Sequence, residues 1–199
     1  MKFLKKINKG LILAIIVLLA LTIYLVNVEN QRKADKPDIK AVCEEFIALT
    51  DKYSVLPEEM QKLGEKQDES KIEEYVKQMK EDLGKIMISN EEAIKIQQQV
   101  LEENLRNGYN ELEARIKQER KIQKISKYEF DGNQVTVSFE NEVQENIKYF
   151  DGTSEQTENK KFDTYYDTII LQKIDGKWKV VYSNLQFEEN QVYHEEVIY

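Results

Sequence analysis

Residues 11–28, LILAIIVLLALTIYLVNV, constrain this chain more than any other stretch. Between Leu11 and Val26 there is no charge, and Thr22 is the one plainly polar side chain. As a helix, eighteen residues reach about 27 Å at about 1.5 Å each, close to the roughly 30 Å hydrocarbon core of a bilayer. Leu11, Ile16, Leu21 and Val26 sample the length of that candidate membrane anchor. Ahead of it stand Lys2, Lys5, Lys6 and Lys9, with no acid among them. That lysine excess predicts a cytoplasmic N-terminus over residues 1–10 and an exported C-terminal part. A buried core helix would not be apolar all round behind four lysines.

The rival reading is a cleaved signal peptide. Signal h-regions run about 7–15 apolar residues and end at a small-x-small site. Here the run is longer, and Leu18-Leu19-Ala20 and Val26-Asn27-Val28 are both poor cleavage sites. A lipoprotein cysteine would follow the apolar run directly, whereas Cys43 lies fifteen residues past Val28. An uncleaved single-span anchor is the expectation, with cleavage left as the alternative.

The chain has 199 residues and a net charge of −8, which becomes −12 for the part beyond the anchor once the four N-terminal lysines are set aside. That part is long enough for one domain with a core of its own. Its acidity argues against nucleic acid and against flat adsorption on anionic lipid. Eleven Tyr, seven Phe and one Trp supply bulk for a packed interior although 33% of residues are charged. A single cysteine excludes an internal disulfide. Cys43 shares a helical stripe with Ile39, Phe46 and Thr50, which favours a buried structural thiol over a nucleophile or an intermolecular bridge. With two Pro and seven Gly there is no Pro/Gly/Ser linker, and no repeat is visible.

Along the chain, residues 29–37 (ENQRKADKP) read as a short polar connector, with Pro37 discouraging a helix from running through unbroken. Residues 38–53 carry an amphipathic stripe of Ile39, Val42, Cys43, Phe46, Leu49 and Tyr53. Pro57 suits the first turn of a short second helix. Ser70 with Glu73 has capping-box spacing ahead of Ile72, Tyr75, Val76, Met79 and Leu83, and Gly84 is a plausible stop. Ser89 with Glu92 repeats the signal and opens the longest predicted helix, to about Lys124, which Asn107-Gly108 would break or kink. Lys117, Arg120, Lys121 and Lys124 then read as favourable charge at a helix C-terminus.

After about residue 125 the period falls to two. Residues 127–130 make a short strand, and Asp131-Gly132-Asn133 a hairpin turn. Odd positions from Val135 to Tyr149 read Val, Val, Phe, Asn, Val, Glu, Ile, Tyr, while the even ones from Gln134 to Lys148 are polar throughout. That is a strand with one buried face. Residues 151–160 read as a polar turn, and Phe162, Tyr166, Ile170 and Ile174 alternate along a third strand. Asp175-Gly176 leads into a fourth over residues 178–187, with Trp178, Val180 and Tyr182 on one side, followed by an acidic, aromatic tail, 188–199. The expected class is α+β: several amphipathic helices packed on a curved antiparallel sheet of about four strands.

The order of helices before long hairpins, ending in IDGKWKVVYSNL (174–185) and opening on EEFIALTDKYSVLPEE (44–59), resembles nuclear transport factor 2-like domains over residues 38–187. The resemblance implies a cone in which helices pack into a strongly curved sheet. Membrane-anchored forms are similar to assembly subunits of bacterial secretion and conjugation machines and to extracytoplasmic domains of Gram-positive bacteria. Some members of the family isomerise or dehydrate a ligand with pocket Asp, His or Tyr. On that basis Asp163, Tyr165, Tyr166, Trp178 and Tyr182 are the candidate ligand-pocket residues, set against the simpler reading that the aromatics fill the cone.

Catalytic patterns are sparse. The one histidine, His194, lies in the tail, so no histidine-based triad or metal site is expected. Neighbouring Glu-Glu pairs do not face each other on a helix. Asp163 and Asp167 share a strand face about 13 Å apart, too far to share one ion. There is no glycine-rich phosphate loop and no EF-hand spacing. The expectation is a non-enzyme without cofactor or metal. Its partners would be the lipid bilayer through the N-terminal helix and other envelope proteins or a second copy, with no nucleic acid. The alternative is a domain that binds or converts a hydrophobic small molecule.

Overall fold

The computed structural model describes residues 9–186. Residues 1–8 and 187–199, which include the end of the expected fourth strand and the tail with His194, therefore lie outside the described part. By contacts the chain forms two units, residues 1–39 and 40–199. Helix α1, Lys9–Lys52, supplies the first and opens the second. Its apolar window has a mean hydropathy of 2.9 with no residue buried, so it is long and apolar enough to cross a membrane. Leu11, Ile16, Leu21 and Val26 are all exposed along it.

Residues 29–37 are helical, not an irregular connector, and Pro37 sits inside α1. Proline biases the preceding residue away from helix without forbidding it. The i,i+4 pairs Glu29–Lys33 and Lys40–Glu44 flank the site and favour the helical state by a few tenths of a kcal/mol each.

In the second unit a single 3-10 turn, Glu58–Met60, leads to α2 (Glu69–Ile86) and α3 (Glu91–Asn107). Asp68, two residues earlier than the expected Ser70 box, caps α2 by accepting from Ser70 N, and the helix runs through Gly84. Asn90 caps α3, accepting from the amides of Glu92 and Ala93. Gly108 ends α3, so the expected helix to Lys124 is in fact two elements. Residues Glu113–Asp131 form strand β1. Three register shifts along β1 scramble its alternation and leave a spacing that mimics a helix.

Strands β2 (Gln134–Phe150), β3 (Glu155–Ile174) and β4 (Lys177–Asn184) complete an antiparallel sheet in the order β1-β2-β3-β4. The β2–β3 turn is shorter than the sequence suggested. Asp151 Oδ1 accepts from Thr153 N at 2.8 Å and Ser154 N at 2.9 Å, and β3 starts at Glu155. A bulge at Tyr166, whose φ is 69°, changes the phase of β3. Asp167, Ile169 and Leu171 consequently face inward, where alternation from Phe162 would have put Tyr166, Ile170 and Ile174. A register shift at Ile170/Leu171 likewise leaves Trp178 and Val180 inside but turns Tyr182 outward.

Helices cover the inner face of the sheet. Phe46, Tyr53, Met79, Leu83, Leu101 and Leu105 are buried, as are Val135, Val137, Phe139, Ile169, Leu171 and Val180 from the strands. Each such side chain contributes about 1.5–3 kcal/mol by leaving water. Ile88 N donates to Val180 O at 2.9 Å, tying the α2–α3 connection to β4.

Candidate functional site

The inner face of β2 reads Val135, Val137, Phe139 and then turns polar, with Asn141 and Glu145 buried on either side of Val143. Gln118 and Arg120 of β1 join them, with Thr164 and Asp167 of β3, Asp51 and Ser54 from the end of α1 and its following turn, and Asn104 of α3, all buried. Burying charge is costly unless each group finds a partner.

Most of these groups have partners, while Gln118 Oε1 and Asn141 Oδ1 accept no hydrogen bond and Glu145 Oε1 is held by an ion pair alone. Asp51 Oδ1 accepts from Gln118 Nε2 at 2.9 Å and Oδ2 from the backbone amide of Arg120 at 2.6 Å. The Arg120 Nε lies 3.6 Å from Asp51 Oδ1. Ser54 Oγ accepts from Asn104 Nδ2 at 2.7 Å and Gln118 Nε2 at 3.3 Å. Arg115, donating to Asn104 Oδ1 at 3.1 Å, pairs with Glu145 Oε1 at 3.3 Å. Across β2 and β3, Asp167 Oδ2 accepts from Asn141 Nδ2 at 2.7 Å and from the Thr164 hydroxyl, while its Oδ1 takes the amide of Gln186 at 2.8 Å.

Burial raises the Asp51 carboxyl above the ordinary range, opposed chiefly by the Arg120 guanidinium. Burial raises Glu145 in the same way, opposed first by Arg115. It lowers Arg120, against the pull of Asp51, Asp167 and Glu145. Two arginines and three carboxylates thus share one interior. In Asp51 and Asp167 both oxygens already accept protein donors. These bonds join α1, α3, β1, β2 and β3.

Recesses lie around this interior, one of about 580 Å³ lined by Lys62, Ile116, Lys148 and Thr157 and within the usual size of a ligand pocket. A groove of about 390 Å³ runs past Ile47, Ala48 and Ile122 to Asp51 and Arg120. A cleft of about 290 Å³ beside α2 and α3 is floored by Leu56, Ile72 and Leu105, just below the usual size of a ligand pocket. Among the described residues no group of three His, Cys, Asp or Glu is placed to hold a metal ion. Cys43 is buried, and burial pushes its thiol up to about 12.

The residues proposed from sequence for a pocket are not brought together. Asp163, Tyr165, Tyr166 and Tyr182 stand exposed on the outer face. Trp178 alone points inward, buried at the other end of the sheet with Lys173 Nζ 5.5 Å from its ring centre. The Asn and Glu interrupting the apolar side of β2 were the visible signal for the polar cluster. Gln118 and Arg120 were hidden inside the misread helix.

The class defined by this geometry is an α+β domain whose sheet interior is occupied by its own bonded side chains. No family model and no curated protein matches the chain. A solved structure, the intermembrane space region of the chloroplast protein ARC6, is similar at 12% identity and a TM-score of 0.32. The match covers 60% of this chain and 97% of that one. So slight a likeness defines neither family nor activity.

Proposed function

We propose that this chain is a membrane-anchored interaction domain of the cell envelope, with residues 1–10 cytoplasmic, the N-terminal helix crossing the bilayer, and residues 38–187 outside the cytoplasm. It works by binding other envelope proteins or itself, without catalysis and without a cofactor. The nuclear transport factor 2-like assignment and the bacterial extracytoplasmic setting belong to the same proposal. The observation that carries it is the filled interior: the side chains that would form a pocket in the sheet bond to one another instead. An apolar helix at the N-terminus with basic residues before it supports the anchoring and its direction.

The test is purification of the full-length protein from its native membranes, with co-purifying proteins identified by mass. Reproducible protein partners or self-association are expected. Recovery of the chain alone, carrying a bound small molecule, overturns the proposal in favour of the ligand-binding alternative. Protease added to intact cells should digest the C-terminal part, and full protection contradicts the orientation.

A further inference from the structure

We propose that the open edge of β3, residues 155–164, pairs antiparallel with the same edge of a second copy of this chain about a two-fold axis at Asn159. The proposal names the partner for the interaction-domain reading and rests on it.

A sheet edge presents a row of unpaired N–H and C=O groups that recruits another strand unless it is blocked. Two edges here are blocked. On β1 the Arg120 amide is taken by Asp51 at 2.6 Å and the Arg115 amide by Gly108 O at 2.7 Å, and three register shifts twist what is left. On β4, Val180 is bridged by Met87 and bonded by Ile88. The third edge is different. β4 pairs with β3 from Thr168 to Ile174, and among the described residues no strand lies beside Glu155 to Tyr166 on the side away from β2. From Thr164 to Glu155 the pairing of β3 with β2 has no register shift, so this edge is regular.

Charge complementarity distinguishes the registers open to a second copy, and the pair it uses, Glu158 and Lys160, also lies 3.9 Å apart within one chain. A two-fold perpendicular to the sheet keeps both inner faces on one side, so residues of the same parity face each other across the join. With the axis at Asn159, Glu158 faces the partner's Lys160 and Lys160 faces the partner's Glu158. Thr157 faces the partner's Lys161. An axis at Glu158, Lys160 or Lys161 sets that charge against its own copy, and like charges directly opposite are destabilising. An axis at Thr157 runs the pairing into the 151–154 turn, and one at Phe162, although it sets Lys161 against the partner's Asp163, runs it into the bulge at Tyr166. The register at Asn159 does oppose Glu155 and Asp163, but Lys148 already neutralises Glu155 at 2.6 Å.

The test uses the full-length protein in membranes. Facing residues bring Cβ atoms to about 4.5–5.5 Å, so Asn159→Cys should form a dimer disulfide on mild oxidation. Buried Cys43 does not compete. Thr157→Cys and Lys161→Cys should cross-link when the two variants are co-expressed but not singly. In the Asn159→Cys background, Glu158→Lys or Lys160→Glu should lower the yield roughly tenfold, and Glu158→Lys with Lys160→Glu together should restore it. These side chains are exposed, and an unchanged urea midpoint verifies folding of each variant.

A monomeric Asn159→Cys variant with an unchanged midpoint overturns the proposal, as does a charge swap that fails to restore the yield. An intramolecular disulfide-free product bound to a protein of different mass overturns the second copy while leaving the interaction domain standing. Absence of both self-linking and co-purifying proteins removes the interaction domain as well.

Discussion

The two halves of the sheet's inner face are built on different physics. One half, Val135, Val137, Phe139, Ile169, Leu171 and Val180, is apolar and fully buried. It needs only volume and contact, and each residue stabilises independently of the identity of its neighbour. The other half, around Arg120, Asn141, Glu145 and Asp167, is equally buried but polar. There a group is tolerable only while its partner is present. Oil sets how stable this domain is; the polar half sets which strands and helices meet.

The comparison breaks most sharply at Arg120. Arg120→Met leaves Asp51, Glu145 and Asp167 facing each other without their shared cation, and should lower stability by about 3–5 kcal/mol in urea unfolding of the detergent-solubilised protein. Leu171→Ala in the apolar half should cost about 2–5 kcal/mol. The difference lies in rescue. Adding Asp51→Asn to Arg120→Met should recover part of the loss, with a coupling of about 0.5–3 kcal/mol, while a distant polar change should leave Leu171→Ala unrescued. Strict additivity in the polar pair would erase the distinction.

Acidity separates the halves next. Glu145 is raised by burial, so its stabilising contribution is complete below the unfolded carboxyl value of about 4.3 and is lost as pH rises through its folded value. The deficit of Glu145→Gln should therefore shrink between pH 4 and pH 7 in unfolding titrations, and a growing deficit would contradict the burial argument. Asp151 in the β2–β3 turn has the opposite sign. Its bonds to Thr153 and Ser154 hold it down to about 2, so its contribution is present above about 3.9 and is lost as pH falls from there through its folded value of about 2. The smallest expected effect is Tyr166→Gly. Relieving a φ of 69° in an exposed tyrosine should raise stability by about 1 kcal/mol without moving the rest of the sheet.

The apolar half was legible in the sequence because a strand with one wet face advertises itself. The odd positions of β2, and Trp178 with Val180, were assigned to the inside correctly. The polar half was half legible: Asn141 and Glu145 stand out as interruptions on a buried side. Their partners did not. Gln118 and Arg120 lie on a strand whose three register shifts and basic side chains imitate a helix end, and nothing in the apolar stripe of residues 38–53 marks Asp51 as their partner. Bulges defeated the reading of side-chain direction as well. One extra residue at Tyr166 exchanged Asp167 for an aromatic on the inner face, and another beside Val181 sent Tyr182 outward. Periodicity detects faces; it does not see the residue at which a face changes.

Whether this interior is occupied by its own side chains is measured most directly by native mass spectrometry of the full-length protein released gently from membranes. The account predicts masses of the polypeptide and of its protein complexes alone, unchanged in composition by Asp51→Asn. A small molecule of constant mass bound one per chain, and lost in that variant, would contradict it.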